Sequence, residues 1–197
     1  MNCPEEITDE VLAFATYIVP HGAPVYVECS PLAGKPSCEC FPIVAEHVDT
    51  HGGSRELGWS IYMWPGVYIE AELHAVWVDP SGVRHDIAPH QVPFERILFL
   101  PDETATYGET HQVDNRRKAL VKNPDVLNFI RAAHGIYEEE NRGRFATMDR
   151  FITTSRWHKL QKVKNDCERR MMKKFGPPPG MPDLGELGQK LRGRFSS

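Results

Sequence analysis

Long apolar runs are missing from this chain. No window approaches about 18 uninterrupted apolar residues, so no transmembrane helix is expected. There is no internal repeat, and the composition is neither collagen-like nor that of a coiled coil or a disordered chain. Cysteine is scarce and odd in number: Cys3, Cys29, Cys38, Cys40 and Cys167. The first ten residues, MNCPEEITDE, lack the basic and apolar parts of a secretory signal. Together these point to a cytoplasmic protein with reduced thiols, available for catalysis or metal rather than for cross-links.

What is present suits a globular chain of 197 residues, with 41% apolar and 25% charged side chains. The net charge of −4 hides a split. Residues 1–140 hold 9 Lys+Arg against 22 Asp+Glu, net −13, whereas residues 141–197 hold 14 against 5, net +9. Such a division suits either a tail docked on an acidic body or a tail reaching for an acidic partner.

The pattern predicts a helix over 5–19 with Thr8 as its cap, then a strand at Val25–Cys29. A second helix over 41–51 carries Pro42 in its first turn, with Cys40 beside its N-terminus and Gly52-Gly53 at its end. Strands are expected at Leu57–Trp64, Val67–Val78, Val83–Ile87 and Arg96–Leu100, with turns at Pro65-Gly66 and Asp79–Gly82. Residues 114–134 read as helical, in two pieces around Asn123-Pro124, and 145–175 as basic and helical. The expected fold is α+β: a small antiparallel sheet from residues 57–100, packed on the Cys-bearing helix, with C-terminal helices around it. The expected division is a core over 1–140, a basic helical extension docked on it over 141–176, and a flexible tail over 177–197.

Alternation places Val67, Ile69, Ala71, Leu73, Ala75 and Trp77 on one face of the third strand. Tyr68, Glu70, Glu72, His74, Val76 and Val78 take the other. A solvated face explains the polar row by itself, but its surroundings suggest more. Cys40 precedes His74 by 34 residues and Asp86 follows it by 12, on the returning strand of a hairpin. A thiol at a helix start, an imidazole on a strand and a carboxylate on the next strand are what a thiol enzyme needs. The helix N-terminus and an imidazolium favour thiolate, and the carboxylate fixes the imidazole tautomer.

The string HAVWVDPSGVRHDIAP (His74–Pro89) resembles the His-strand, turn and Asp-strand segment of the transglutaminase-like branch of the papain-like superfamily. The resemblance covers roughly residues 36–90. It implies Cys40 as nucleophile, His74 as base and Asp86 as the orienting acid, acting on a peptide, protein or small amide by hydrolysis, deamidation or transfer. The longer run Gly58–Pro89 is similar to a group of uncharacterised bacterial and phage proteins with an IEAE-x-HAVW block. Some of these carry a cysteine-dense C-terminal zinc segment; here that region holds only Cys167. No residue pattern marks an oxyanion donor; the Cys40 N–H is one candidate, with Ser37 or Glu39 as further contributors.

Trp59, Trp64 and Glu72 are candidates for lining a substrate groove. No cofactor is expected. Two metal readings compete: Cys38 and Cys40 with His47 or His51 for zinc, and Glu70, Glu72 and His74 completed by His85 or Asp86 for Mn, Fe or Zn. His21, His90, His111, His134 and His158 read as surface or capping residues. Arg156–Lys174, with 8 Lys+Arg and 2 acids, invites a nucleic-acid reading. The absence of a known motif and a pI near 6.1 argue against it. A non-catalytic interaction module that kept the fold is the chief rival to an enzyme.

Overall fold

The computed structural model describes residues 1–107, 113–142 and 154–180. The fold is α+β. Its elements are α1 (Asp9–Ile18), β1 (Val25–Glu28), α2 (Cys40–His51), β2 (Ser54–Trp64), β3 (Tyr68–Val78), β4 (Arg84–His85), β5 (Arg96–Pro101), β6 (Arg116–Ala119), α3 (Pro124–Glu140) and α4 (Ser155–Phe175). The strands form one antiparallel sheet in the order β1-β5-β2-β3-β4, with β6 also on β3.

The β2–β3 hairpin is the spine. It pairs without interruption from Ser54↔Val78 to Trp64↔Tyr68. Its turn has Pro65 then Gly66 at φ 70°, and the Val67 N–H donates to the Trp64 carbonyl at 2.9 Å. Proline presets the first corner and glycine takes the left-handed second one. Gly58 lies opposite His74, and β5 runs against it so closely that a Cβ there would sit 2.3 Å from the Leu100 carbonyl oxygen.

One face of the sheet buries Ile69, Ala71 and Leu73 of β3 and Trp59 and Ile61 of β2 under Val11, Phe14 and Ala15 of α1. Thr8 caps α1 by accepting from the Val11 N–H, as expected. Farther along β3, Ala75 packs with Ile43 and Val44 of α2 and with Ile87 and Ala88. On the opposite face Val76 is buried among Val27, Ile97 and Phe99, so β3 is covered on both sides there.

Residues 114–134 are not a split helix. Arg116–Ala119 is the strand β6, and Asn123 caps α3 by accepting from the Asp125 and Val126 N–H groups. Arg-Arg-Lys-Ala carries no apolar period; what selects a strand is its partner. Arg117 lies opposite Glu70 in register and donates Nε to its carboxylate at 2.9 Å, with Asp114 accepting from Nη1 at 2.9 Å.

Helix α4 lies against α3 and buries Cys167 and Met171 with Trp64, Tyr68, Val126 and Phe129. Gly135 lets the helices approach: a Cβ there would stand 3.2 Å from the Leu160 methyls. Arg170 pairs with Asp125 at 2.7 Å, and Thr154 donates to Glu139 at 2.8 Å. The basic segment thus meets acids on α3, while Val163 stays exposed. Of the tail, residues 177–180 are described, with Pro178 buried; the rest of that expectation lies outside the described residues.

Gly58→Ala drives a methyl into a backbone carbonyl that cannot yield without parting β2 from β5. It should lower unfolding free energy by about 1–3 kcal/mol, the usual cost of overpacking. Chemical denaturation with an unchanged m-value checks this.

Candidate active site

Asp86 is delivered by a turn built on Asp79. One Asp79 oxygen accepts from the Ser81 N–H (2.8 Å), the Ser81 hydroxyl (2.6 Å) and the Val83 N–H (3.0 Å), and the other meets His85 Nε2 at 3.0 Å. Those bonds, the Ser81 hydroxyl first, hold the Asp79 carboxyl well below the usual carboxylate range. The chain then pairs β4 with the end of β3 and passes beneath the end of β1. There the Asp86 N–H donates to the Glu28 carbonyl (3.0 Å) and the Ser30 N–H to the Asp86 carbonyl (2.8 Å).

The loop that leads to α2 follows the same track. Leu32 N–H donates to Ile87 O at 3.0 Å and Cys38 N–H to Pro89 O at 3.4 Å. These backbone bonds carry Cys40 to the site. It is the first residue of α2, one position earlier than the sequence pattern suggests, and is buried at 6% exposure. Its N–H and that of Phe41 belong to the first helical turn, which offers them no intrahelical acceptor. Cys38, two residues before, takes a left-handed φ of 66°, a strained value for a side-chain-bearing residue.

His74 and Asp86 come together in the interior, with side chains 8% and 0% exposed and Nε2 to Oδ1 at 3.0 Å. With Nε2 committed to the carboxylate, Nδ1 is the remaining ring nitrogen, and His74 and Cys40 line the same cavity. Burial by itself would lower the His74 pKa. The bonds and charges of Asp86 and Cys40 outweigh burial and raise it to about 10. Burial likewise opposes the Asp86 charge, yet the bonds from His74 and His90 bring that carboxyl well below its ordinary value.

His90, read from sequence as a surface or capping residue, belongs here. Its Nε2 lies 2.5 Å from Asp86 Oδ2, and its ring stacks on His74 at 5.5 Å and 27°. No periodicity marks it, since it sits in a loop after Pro89; its spacing of four residues from Asp86 is the one signal that could have found it. Cys29 donates its thiol to the same oxygen at 3.4 Å. Cys29, Asp86 and His90 offer three ligand atoms within 4.8 Å of one another, the one such group among the described residues. Neither metal set expected from sequence converges in this way. Glu70 is instead held by Arg117 Nε at 2.9 Å and Asn115 Nδ2 at 2.5 Å, and His47 stacks on His51 at 4.0 Å. His134 meets Asp114 at 2.6 Å, and His111 lies outside the described residues.

A cavity of about 390 Å³ opens over the site. Strand β6 lies beside Tyr68–Ala71 and β4 beside Trp77–Val78, so among the described residues no strand flanks Glu72–Val76 on that side. Glu72, Leu73 and His74 line the cavity with Cys38, Cys40 and Phe41, closed by Met1, Tyr62 and residues between Ala88 and Phe94. Glu72 thus lines this cavity. Trp59 and Trp64 do not. Trp59 faces α1 and donates Nε1 to Asp102 at 2.9 Å, and Trp64 lies under α3 and α4.

Burial pushes up the thiols of Cys3, Cys29, Cys38 and Cys167. Desolvation dominates at Cys3, raised to about 11, and at Cys167. Desolvation together with Asp86 raises Cys29, and desolvation with Glu72 raises Cys38.

No protein-family model, curated protein or solved structure matches the chain. Among the described residues, no helix is long and apolar enough to cross a membrane.

The His74–Asp86 pair fixes the sign of a pH prediction. His74 has its folded pKa raised, so its contribution to stability is whole below the unfolded value of about 6.5 and is lost as pH rises through about 10. Asp86 is depressed, so its contribution is present above about 3.9 and lost on acidification. Asp86→Asn removes the larger of the two partners that outweigh burial. By imidazole NMR titration His74 should move from near 10 to below about 6.5.

Proposed function

We propose that this chain is a cysteine-dependent acyl-transfer enzyme that acts on a peptide, protein or small amide, with Cys40 as nucleophile, His74 as acid and base, and Asp86 as the orienting carboxylate. The observation that carries the reading is the buried Nε2–Oδ1 bond of 3.0 Å, made by a His74 that shares a cavity wall with Cys40, the only thiol at a helix start among the described residues. A reducing compartment such as the cytoplasm suits a site that depends on a free thiol.

The chemistry follows from the geometry. His74 takes the Cys40 proton on Nδ1, and the imidazolium charge falls beside the Asp86 carboxylate. The thiolate attacks the amide carbon, forming a C–S bond, and the carbonyl oxygen becomes an oxyanion beside the first-turn N–H groups of α2. Collapse breaks the C–N bond, and the proton on His74 goes to the departing amine. The Cys40 thioester then meets water or an amine. His74 accepts its proton, the C–S bond breaks, and the thiol is restored. Whether water or an amine enters decides hydrolysis against transfer; both use the same three side chains.

Iodoacetamide at substoichiometric amounts and pH 7 should label Cys40 before the other four cysteines, as read by mass spectrometry. His74→Ala should slow that labelling by about 10²-fold, the low end of what a positioned acid–base group contributes. Preferential labelling of Cys38, or a Cys40 rate indifferent to His74, would count against the triad.

A further inference from the structure

The same cavity carries a feature that the triad does not use. Glu72 stands two residues from His74 on the same face of β3, about 6.6 Å along the strand. Glu72 is exposed as a residue and makes no hydrogen bond or ion pair among the described residues; desolvation in the cavity pushes its carboxyl up, and His74, His90 and Arg117 act on it only through space. Every cation nearby is already matched. Arg117 lies between Glu70 and Asp114, and His74 and His90 share Asp86. Met1 also lines the cavity; burial lowers the pKa of its amino group, and the charges that act on it are those of Glu70 and Glu168 rather than Glu72. Among the described residues lining the cavity there is no lysine or arginine.

Beside Glu72 the wall is aromatic. Tyr62 lies opposite Glu70 in register, which makes it a diagonal neighbour of Glu72 on the same face. Its ring packs on Phe94 at 5.6 Å, and Phe94 meets the edge of His90 at 5.2 Å. Phe41, next to the nucleophile, stacks face to face on Tyr107 at 3.9 Å. A carboxylate with no bonded partner, set against π-faces, is the environment that takes an ammonium or guanidinium group and repels a carboxylate or phosphate.

We infer that the substrate of this site carries a cation, an ammonium or guanidinium side chain seated between Glu72 and the Tyr62–Phe94 wall, close to the carbonyl that Cys40 attacks. This rests on the acyl-transfer reading and adds the class of substrate. The negative field also registers on its neighbours: Glu72 contributes, behind desolvation, to pushing up both the Cys38 thiol and the Tyr62 phenol. The body around the site has the same sign, net −13 over residues 1–140.

Three methanethiosulfonates of different charge test this on the full chain in a Cys38→Ser background, where Cys40 is the one cavity thiol. Each transfers its RS group to the Cys40 thiolate, forming a disulfide and releasing methanesulfinate. The trimethylammonium-ethyl, methyl and sulfonatoethyl reagents give cationic, neutral and anionic arms, each rate being divided by that for 2-mercaptoethanol. At low salt the cation should outrun the anion at Cys40 by about tenfold or more. The ratio should shrink with added salt, and Glu72→Gln should reduce it to within about threefold of unity. Tyr62→Leu should slow the cationic arm more than the neutral one. An anion as fast as the cation, or a ratio untouched by Glu72→Gln, overturns the inference. The neutral arm reports on the catalytic reading separately. If its rate does not fall with His74→Ala, the triad fails whatever the charge ratio. No reaction at Cys40 in any arm overturns both.

Discussion

A single buried carboxylate, Asp86, joins the architecture to the candidate site. Oδ1 meets His74 at 3.0 Å; Oδ2 takes His90 at 2.5 Å and the Cys29 thiol at 3.4 Å. Its backbone is bonded on both sides to the β1 end, at Glu28 and Ser30. A fully buried carboxylate is tolerable only with such partners, because desolvation costs several kcal/mol before any are made. Removing one partner therefore does more than delete a contact: it leaves a charge in the interior without its match. The hairpin turn at Asp79, the strand β1 and the loop to α2 all serve to keep that residue and those partners in register.

The second constraint is the gap beside β3. Because β6 covers one end of the strand and β4 the other, Glu72–Val76 is left without a flanking strand among the described residues. The cavity, with the Cys40 end of α2, lies there. Were the sheet continuous on that side, the His74 edge would be sealed by backbone pairing. The sheet is thus packed against α1, α2, α3 and α4, yet leaves one short edge of β3 facing the cavity. The acidic row that looks like an ordinary solvated face is divided by its surroundings. Glu70 is held by Arg117, His74 is buried on Asp86, and Glu72 alone is left open.

Much of this is legible in the order of the residues. Strict alternation, the Pro-Gly and Asp-Pro-Ser-Gly turns, and proline in the first turn of α2 are local signals, and they carry the hairpin, the His74–Asp86 adjacency and the position of Cys40. What fails depends on neighbours far away in sequence. Strand β6 has a run of three cations with no period, and only Glu70 across the ladder explains it. His90 sits in a loop where no pattern operates. Trp59 turns on one residue of register. A two-residue Pro65-Gly66 loop would set it opposite Glu72 on the His74 face. The hairpin pairs Trp64 with Tyr68 instead, which puts Trp59 opposite Leu73 and sends it to the α1 core. Trp64 does share the His74 face, but six residues along the strand, under Val126, Phe129 and Met171.

The central claim is that Cys40, poised by His74 on Asp86, forms a covalent acyl intermediate. Stopped-flow mixing with p-nitrophenyl acetate tests it most directly, since a thioester that forms faster than it hydrolyses releases p-nitrophenolate in a burst. The account predicts a burst of about one equivalent per chain, with the added acetyl mass located on Cys40. The burst should be absent in Cys40→Ala and strongly slowed in His74→Ala. A burst that survives Cys40→Ala, or acetyl found on Cys38 or a lysine in its place, would contradict it.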